Sequence, residues 1–207
     1  MNTICKFAYI DIYLLHYLKI KTIFVLSTIT KDENELISKQ DFFREMQLLR
    51  QKHKMNKYNI IDEASLHGYI SILDWMDKSV CKFIHSKTAI VNAAENGQIE
   101  VLGWFANSKY DFYYTSDAID YAAGDGHIEV LEWFDKSGYE FKYTHKAINA
   151  ASLNGHVNVL EWFDKSKYEF KYENWILNDT TNRNHPKVIE WFEKSKYGLR
   201  YNDKNNV

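Results

Sequence analysis

The residues best suited to chemistry recur along the chain at a fixed interval. His127, His156 and His185 form a column of potential metal ligands. Equivalent positions on neighbouring packed helical units lie roughly 10 Å apart. A tetrahedral site gathers its ligands within about 2.0–2.3 Å of one ion. The column is therefore read as structural, a histidine opening a helix. Asp111, Glu140 and Glu169 occur once per interval, so the same distance keeps them from pairing as acid and base. Cys81 would need a positioned base to act as a nucleophile, and His85 is near it in sequence only, so it reads as a buried or half-buried thiol. Gly124-Asp-Gly126 lacks the third glycine, the preceding strand and the downstream acid of a phosphate-cradling loop. No catalytic set, metal or cofactor is expected.

A basic-aromatic ladder carries more weight. Lys136, Lys165 and Lys194 recur, as do Lys142, Lys171 and Arg200, interleaved with Tyr143, Tyr172 and Tyr201. Such an array could follow a phosphate backbone and stack bases. Against this, Asp135, Asp164 and Glu193 stand beside the first lysine column, with Glu140 and Glu169 near the second. Lysine near a helix C-terminus also has an ordinary dipole explanation. The net charge of −2 supplies no global attraction to nucleic acid or anionic lipid. Nucleic-acid binding is kept as an alternative only.

Composition narrows the architecture. The chain has 207 residues, 45% of them hydrophobic and 26% charged, enough for one or two folded domains. One proline and eight glycines disfavour an all-β fold, which needs many punctuated turns. Two cysteines, Cys5 and Cys81, are too few for a disulfide framework or a four-thiolate zinc site and fit a reducing, intracellular setting better than secretion.

The elements that position these residues form an internal repeat. Trp75, Trp104, Trp133, Trp162 and Trp191 are spaced by 29 residues. The same interval carries the columns Ile61/Ile90/Ile119/Ile148/Leu177, Ala64/Ala93/Ala122/Ala151/Thr180 and Gly68/Gly97/Gly126/Gly155/Asn184. Met76/Phe105/Phe134/Phe163/Phe192 and Ser79/Ser108/Ser137/Ser166/Ser195 keep step. A period of this length means stacked supersecondary units. Each unit reads as two short helices. Ser86, Thr115 and Thr144 are N-cap types before the first helix, which is Ala-rich and slim. The Gly column supplies a turn with positive φ. The second helix, for example Ile128–Ser137, buries Val130, Leu131, Trp133 and Phe134 and exposes Glu129, Glu132 and Asp135. Tyr139–Tyr143 is a short extended return.

Thr88-Ala-Ile-Val-Asn-Ala-Ala94, Gly97-Gln-Ile-Glu-Val-Leu102, Trp104-Phe105 and Tyr110-Asp-Phe112 follow one another in an order that resembles the ankyrin repeat, and Gly126-His127 and Gly155-His156 match the family's Gly-His pair. The resemblance covers about two-thirds of the chain. It departs from the family in lacking Thr-Pro-Leu-His, in its shorter period, and in Lys109, Lys167 and Lys196 where the family prefers glycine and only Gly138 conforms. The resemblance implies trimmed β-hairpin fingers. The Trp-Phe pair and the Lys-, Tyr-, Asn- and Ile-rich wording are similar to the divergent ankyrin repeat proteins of giant amoebal viruses.

Residues 1–58 read as a helical cap. Ile10, Tyr13, Leu14, Tyr17 and Leu18 follow helical spacing, while Lys6, Asp11, Lys19 and Lys21 interrupt any run long enough to span a bilayer. A buried capping helix is preferred over an interfacial membrane helix or a signal peptide for residues 1–30. Thr30–Glu33 has capping-box form. The basic run Arg50–Lys54 is read as a solvated helix end. Residues 202–207 read as a disordered tail.

The expected fold is thus all-α: an ankyrin-like solenoid of five 29-residue helix pairs over residues 59–201 behind the cap. The expected function is non-catalytic binding of a protein partner by a monomer, with a membrane-associated adaptor using residues 1–30 as the alternative. Columns that vary between units on the first helix are the candidates for recognition: Asn92, Glu95, Asp120, Tyr121 and Asn149. In the ankyrin arrangement this face lines a groove flanked by Tyr113, Tyr114, Tyr143 and Tyr172, and tyrosine is enriched at binding hot spots.

Overall fold

The Ala-rich and Trp-Phe segments of the repeat both fold as helices. The structure, a computed structural model, describes residues 44, 60–78, 85–176, 179–180 and 185–198. Among these residues there are nine helices and no strand. The expected cap over residues 1–58 (Arg44 apart), the Thr30–Glu33 box, the Arg50–Lys54 run, Cys81 and the tail 202–207 lie outside them. The chain divides into two compact units, Met1–Ala89 and Ile90–Val207.

In the first unit, α1 (Ile60–His67) packs on α2 (Ile70–Lys78). Their shared core is Ile61, Ala64, Ile72 and Leu73, with Met76 at its edge. Asp62 is buried beside them, and its carboxylate accepts the Ser86 N–H at 3.0 Å and the Thr88 hydroxyl at 3.3 Å. Both bonds hold the Ser86–Thr88 turn, at the start of α3 (Thr88–Glu95).

The second unit continues through α4 (Ile99–Asn107), α5 (Asp117–Gly124), α6 (Ile128–Ser137), α7 (His145–Leu153), α8 (Val157–Lys165) and α9 (Pro186–Lys194). Cap residues start the first helix of each segment. The Ser86, Thr115 and Thr144 hydroxyls accept the N–H two residues on, from Thr88 at 2.9 Å, Asp117 at 3.3 Å and Lys146 at 3.2 Å. Each first helix ends in a Schellman turn. The N–H groups of Gln98, His127 and His156 reach back to the carbonyls of Ala93, Ala122 and Ala151 at 2.8, 2.9 and 2.8 Å. The residue between must be left-handed, and Gly97, Gly126 and Gly155 have φ of +69°, +84° and +82°.

Small side chains decide the packing. Ala118, Ala122, Ala123, Ala147 and Ala151 are fully buried, and α5 and α7 pack closely. A Cβ on Gly124 would lie 2.9 Å from that of Ala150, so only glycine fits this approach. The α5–α6 and α7–α8 pairs form hairpins, and the second helices meet in the order α4–α6–α8–α9.

The core of the second helices is Val-Leu-Phe: Val101, Leu102 and Phe105, then Val130, Leu131 and Phe134, then Val159, Leu160 and Phe163. Each such phenylalanine contributes about 1.5–3 kcal/mol by leaving water. The tryptophans, expected in this core, are instead half-buried, and Trp75 is 37% exposed. The reason is the 100° step along the helix from Trp to Phe, which puts the phenylalanine inward and the indole over the loops. There Trp133, Trp162 and Trp191 each complete a three-ring stack. Phe112 lies 4.2 Å from Tyr139 and 5.6 Å from Trp133, and Phe141 lies 4.0 Å from Tyr168 and 5.5 Å from Trp162. The loop return itself is made by serine. Ser137 Oγ donates to the Phe134 carbonyl at 3.0 Å and accepts the Tyr139 N–H at 3.3 Å.

Candidate functional site

Side-chain bonds join each 29-residue segment to the next, and they claim several residues expected on a recognition surface. The segments are counted here from their cap positions, as 86–114, 115–143, 144–172 and 173–198.

Asp120 and Asn149 were expected to be exposed because their column varies, and they are not. Asp120 is 1% exposed and Asn149 5%. Asp120 accepts the Thr144 N–H at 2.7 Å and its hydroxyl at 2.8 Å. Asn149 accepts the Glu173 N–H at 3.1 Å and donates to the Glu173 carboxylate at 2.9 Å. These contacts tie the start of one segment to the cap of the next. Asp and Asn alternate here because both offer an acceptor oxygen at the same reach, not because the position is unconstrained.

The tyrosine column is likewise structural. Tyr114 is buried and donates its hydroxyl to the Glu140 carbonyl. Tyr143 donates to the Glu169 carbonyl and Tyr172 to the Tyr197 carbonyl, the latter at 2.8 Å. Lys142 lies 4.9 Å above the Tyr114 ring and Lys171 4.3 Å above that of Tyr143, in cation–π contact. Burial, reinforced by the Glu140 and Glu169 carboxylates, pushes the Tyr114 and Tyr143 hydroxyls up to about 12. The folded state therefore favours the neutral phenols. Their contribution is intact below the ordinary value of about 10 and is lost as pH rises through about 12. In an alkaline titration read at 295 nm beside circular dichroism, these two phenolates are expected to appear together with loss of helicity. Full tyrosine ionisation with the helical signal unchanged would refute this.

A third tie uses charge. Lys167 lies 2.8 Å from Asp135, which also accepts the Tyr168 hydroxyl at 2.8 Å. Lys196 lies 2.9 Å from Asp164 in the same way. Bonds from these lysines hold both carboxyls below the usual range. Lys167 and Lys196 are thus each the partner of a carboxylate one segment earlier. The outer ladder is matched locally: Lys136 with Glu132 at 3.0 Å, Lys165 with Glu161 at 3.5 Å, and Lys194 with Glu190.

The histidines hold the remaining contact. A Cβ on Gly97, Gly126 or Gly155 would lie 2.7, 2.6 or 2.7 Å from Nδ1 of His127, His156 or His185. Each imidazole thus rests on the glycine turn of the preceding segment. No three His, Cys, Asp or Glu side chains gather as a metal-binding group among the described residues. No helix among them is long and apolar enough to cross a membrane.

Four expected surface residues remain. Tyr113 is 49% and Tyr121 42% exposed, while the other tyrosines between residues 110 and 197 are buried or half-buried. Asn92 and Glu95 lie one turn apart on α3 and are half-buried. Partial burial and the nearby Asp125 carboxylate raise the pKa of Glu95. Asp125 follows Tyr121 by one helical turn, which associates Glu95 with the Tyr121 end of α5. The signal that could have separated ties from surface was in the partners. Asp62, Asp120 and Asn149 each stand 24 residues before a capping position, whereas Tyr121 has no such counterpart. Comparison of the chain with protein-family models, with curated proteins and with solved structures finds no significant match in any of the three.

Proposed function

We propose that the chain is an ankyrin-like repeat solenoid that binds a protein partner without catalysis, through the first-helix face carrying Asn92, Glu95 and Tyr121, flanked by Tyr113 in the loop before α5. The observation that carries this reading is the exposure of Tyr113 and Tyr121, at 49% and 42%, amid tyrosines otherwise buried or half-buried at segment junctions. A large, rigid, amphipathic ring held in water on a helical scaffold is a typical anchor for a protein surface. The local pairing of Lys136, Lys165 and Lys194 with glutamates favours this over the nucleic-acid alternative, because phosphate binding needs cations available to replace counterions.

The test is a pull-down with the full-length chain. Tyr121→Ala and Tyr113→Ala are expected to lose captured proteins at least tenfold with helicity unchanged. Identical captures by the wild type and both variants would overturn the assignment of this face.

A further inference from the structure

The ties between segments are not evenly distributed: the buried acceptor and the ion pair that join the later segments are both lost at the junction between segments 86–114 and 115–143. At the next two junctions a buried Asp120 or Asn149 holds the following segment's cap. The equivalent residue here is Val91, which is 8% exposed and offers no acceptor. The Thr115 hydroxyl turns instead to Asp117 of its own segment, at 2.9 Å. At the next two junctions Asp135 pairs with Lys167 and Asp164 with Lys196. Here the two positions are Ala106 and Gly138, so both partners are gone together.

The contact between first helices changes as well. Between α5 and α7 it is made by Gly124 against Ala150, and Asn154 Nδ2 donates to the Gly124 carbonyl at 2.8 Å. One interval earlier the residues are Glu95, Tyr121 and Asp125. A small-on-small contact is replaced by two large side chains. A hydrogen-bond donor is replaced by a carboxylate that repels another carboxylate, as the Glu95–Asp125 interaction records.

What survives at this junction lies on the other side. His127 still rests on Gly97, Tyr114 still reaches the Glu140 carbonyl, and Phe112 still stacks with Trp133 and Tyr139. The junction is therefore fastened through its loop side and its glycine turn, and along its first-helix side it keeps buried alanines but lacks the acceptor and the small-residue contact.

From this we infer that the junction between segments 86–114 and 115–143 is a built-in hinge, opening on its first-helix side about the Phe112–Trp133–Tyr139 stack while the two junctions after it stay clamped. The inference is independent of what the protein binds. It needs only that one junction has lost its acceptor, its ion pair and its small-residue contact at once. Bending here would swing α3 with Asn92 and Glu95 against α5 with Tyr121.

Pulsed dipolar spectroscopy on the full-length chain tests it. Asn107, Lys136, Lys165 and Lys194 are exposed and occupy one column. With Cys5 and Cys81 replaced by serine, a spin-label pair at 107 and 165 spans the hinge and one clamped junction. A pair at 136 and 194 spans two clamped junctions. The expected result is a distance distribution at least twice as broad for 107–165 as for 136–194. Val91→Asp, which restores the acceptor for Thr115, and separately Asp125→Asn, which restores the donor and removes the repulsion, are each expected to narrow the first distribution and leave the second unchanged. Equal widths in the unaltered background would overturn the inference without recourse to either substitution. A broad 107–165 distribution that neither substitution narrows would overturn the assignment of its cause.

Discussion

Replacing Gly126 with alanine is expected to lower the unfolding free energy by about 3 kcal/mol, measured by urea denaturation followed by helical circular dichroism. Two effects add. The backbone at Gly126 has φ of +84°, where a residue with a Cβ costs about 1–2 kcal/mol. The new methyl would also lie 2.6 Å from His156 Nδ1, well inside contact distance, and overpacking of this kind costs about 1–3 kcal/mol. The two parts can be separated with a double-mutant cycle. In a His156→Ala background the clash is gone, and Gly126→Ala should cost only the backbone part, about 1 kcal/mol. If the cost is the same in both backgrounds, the histidine does not rest on the turn as described.

Asp120→Ala is expected to cost a similar amount, about 3 kcal/mol, by the same measurement. The substitution strands two donors of Thr144, its N–H and its hydroxyl, at a buried junction, and hydrogen bonds to a charged acceptor contribute about 1.5–3 kcal/mol each. Asp120→Asn should be far milder, near 1 kcal/mol. Asparagine keeps one acceptor for the N–H, as Asn149 does for Glu173, and the Thr144 hydroxyl can rotate to accept from the new amide. Equal losses for the two variants would refute this bonding scheme. The contrast with Tyr121→Ala is informative: Asp120 variants should lose partner capture only as far as they lose fold.

These two residues mark the limits of what the amino-acid order reveals. Gly126 was legible because its environment is the same in each segment, so selection for one backbone geometry leaves one residue type repeated. The alanines and the inward phenylalanines were legible for the same reason. Asp120 was misread because variation was taken as freedom. A backbone donor accepts Asp or Asn equally well, so a constrained position can show two identities. Tyr143 and Tyr172 were misread because a tyrosine on a loop looks the same whether its hydroxyl meets water or a carbonyl one segment away. Trp133 was misplaced by a single residue, since a stripe wide enough to include both Trp and Phe does not say which faces inward. The paired loss at Ala106 and Gly138 was present in the order all along. It becomes meaningful only once Asp135 and Lys167 are seen to touch.

The bonds that join segments span short stretches of chain: 24 residues from Asp120 to Thr144, 26 from Tyr143 to Glu169, 30 from Gly124 to Asn154 and 33 from Asp135 to Tyr168. Contacts of such low sequence separation close cheaply and favour quick assembly from a local nucleus. They also mean that a duplicated stretch of 29 residues carries both halves of its own fastenings, so the array can be lengthened or shortened in evolution without redesigning what is already there.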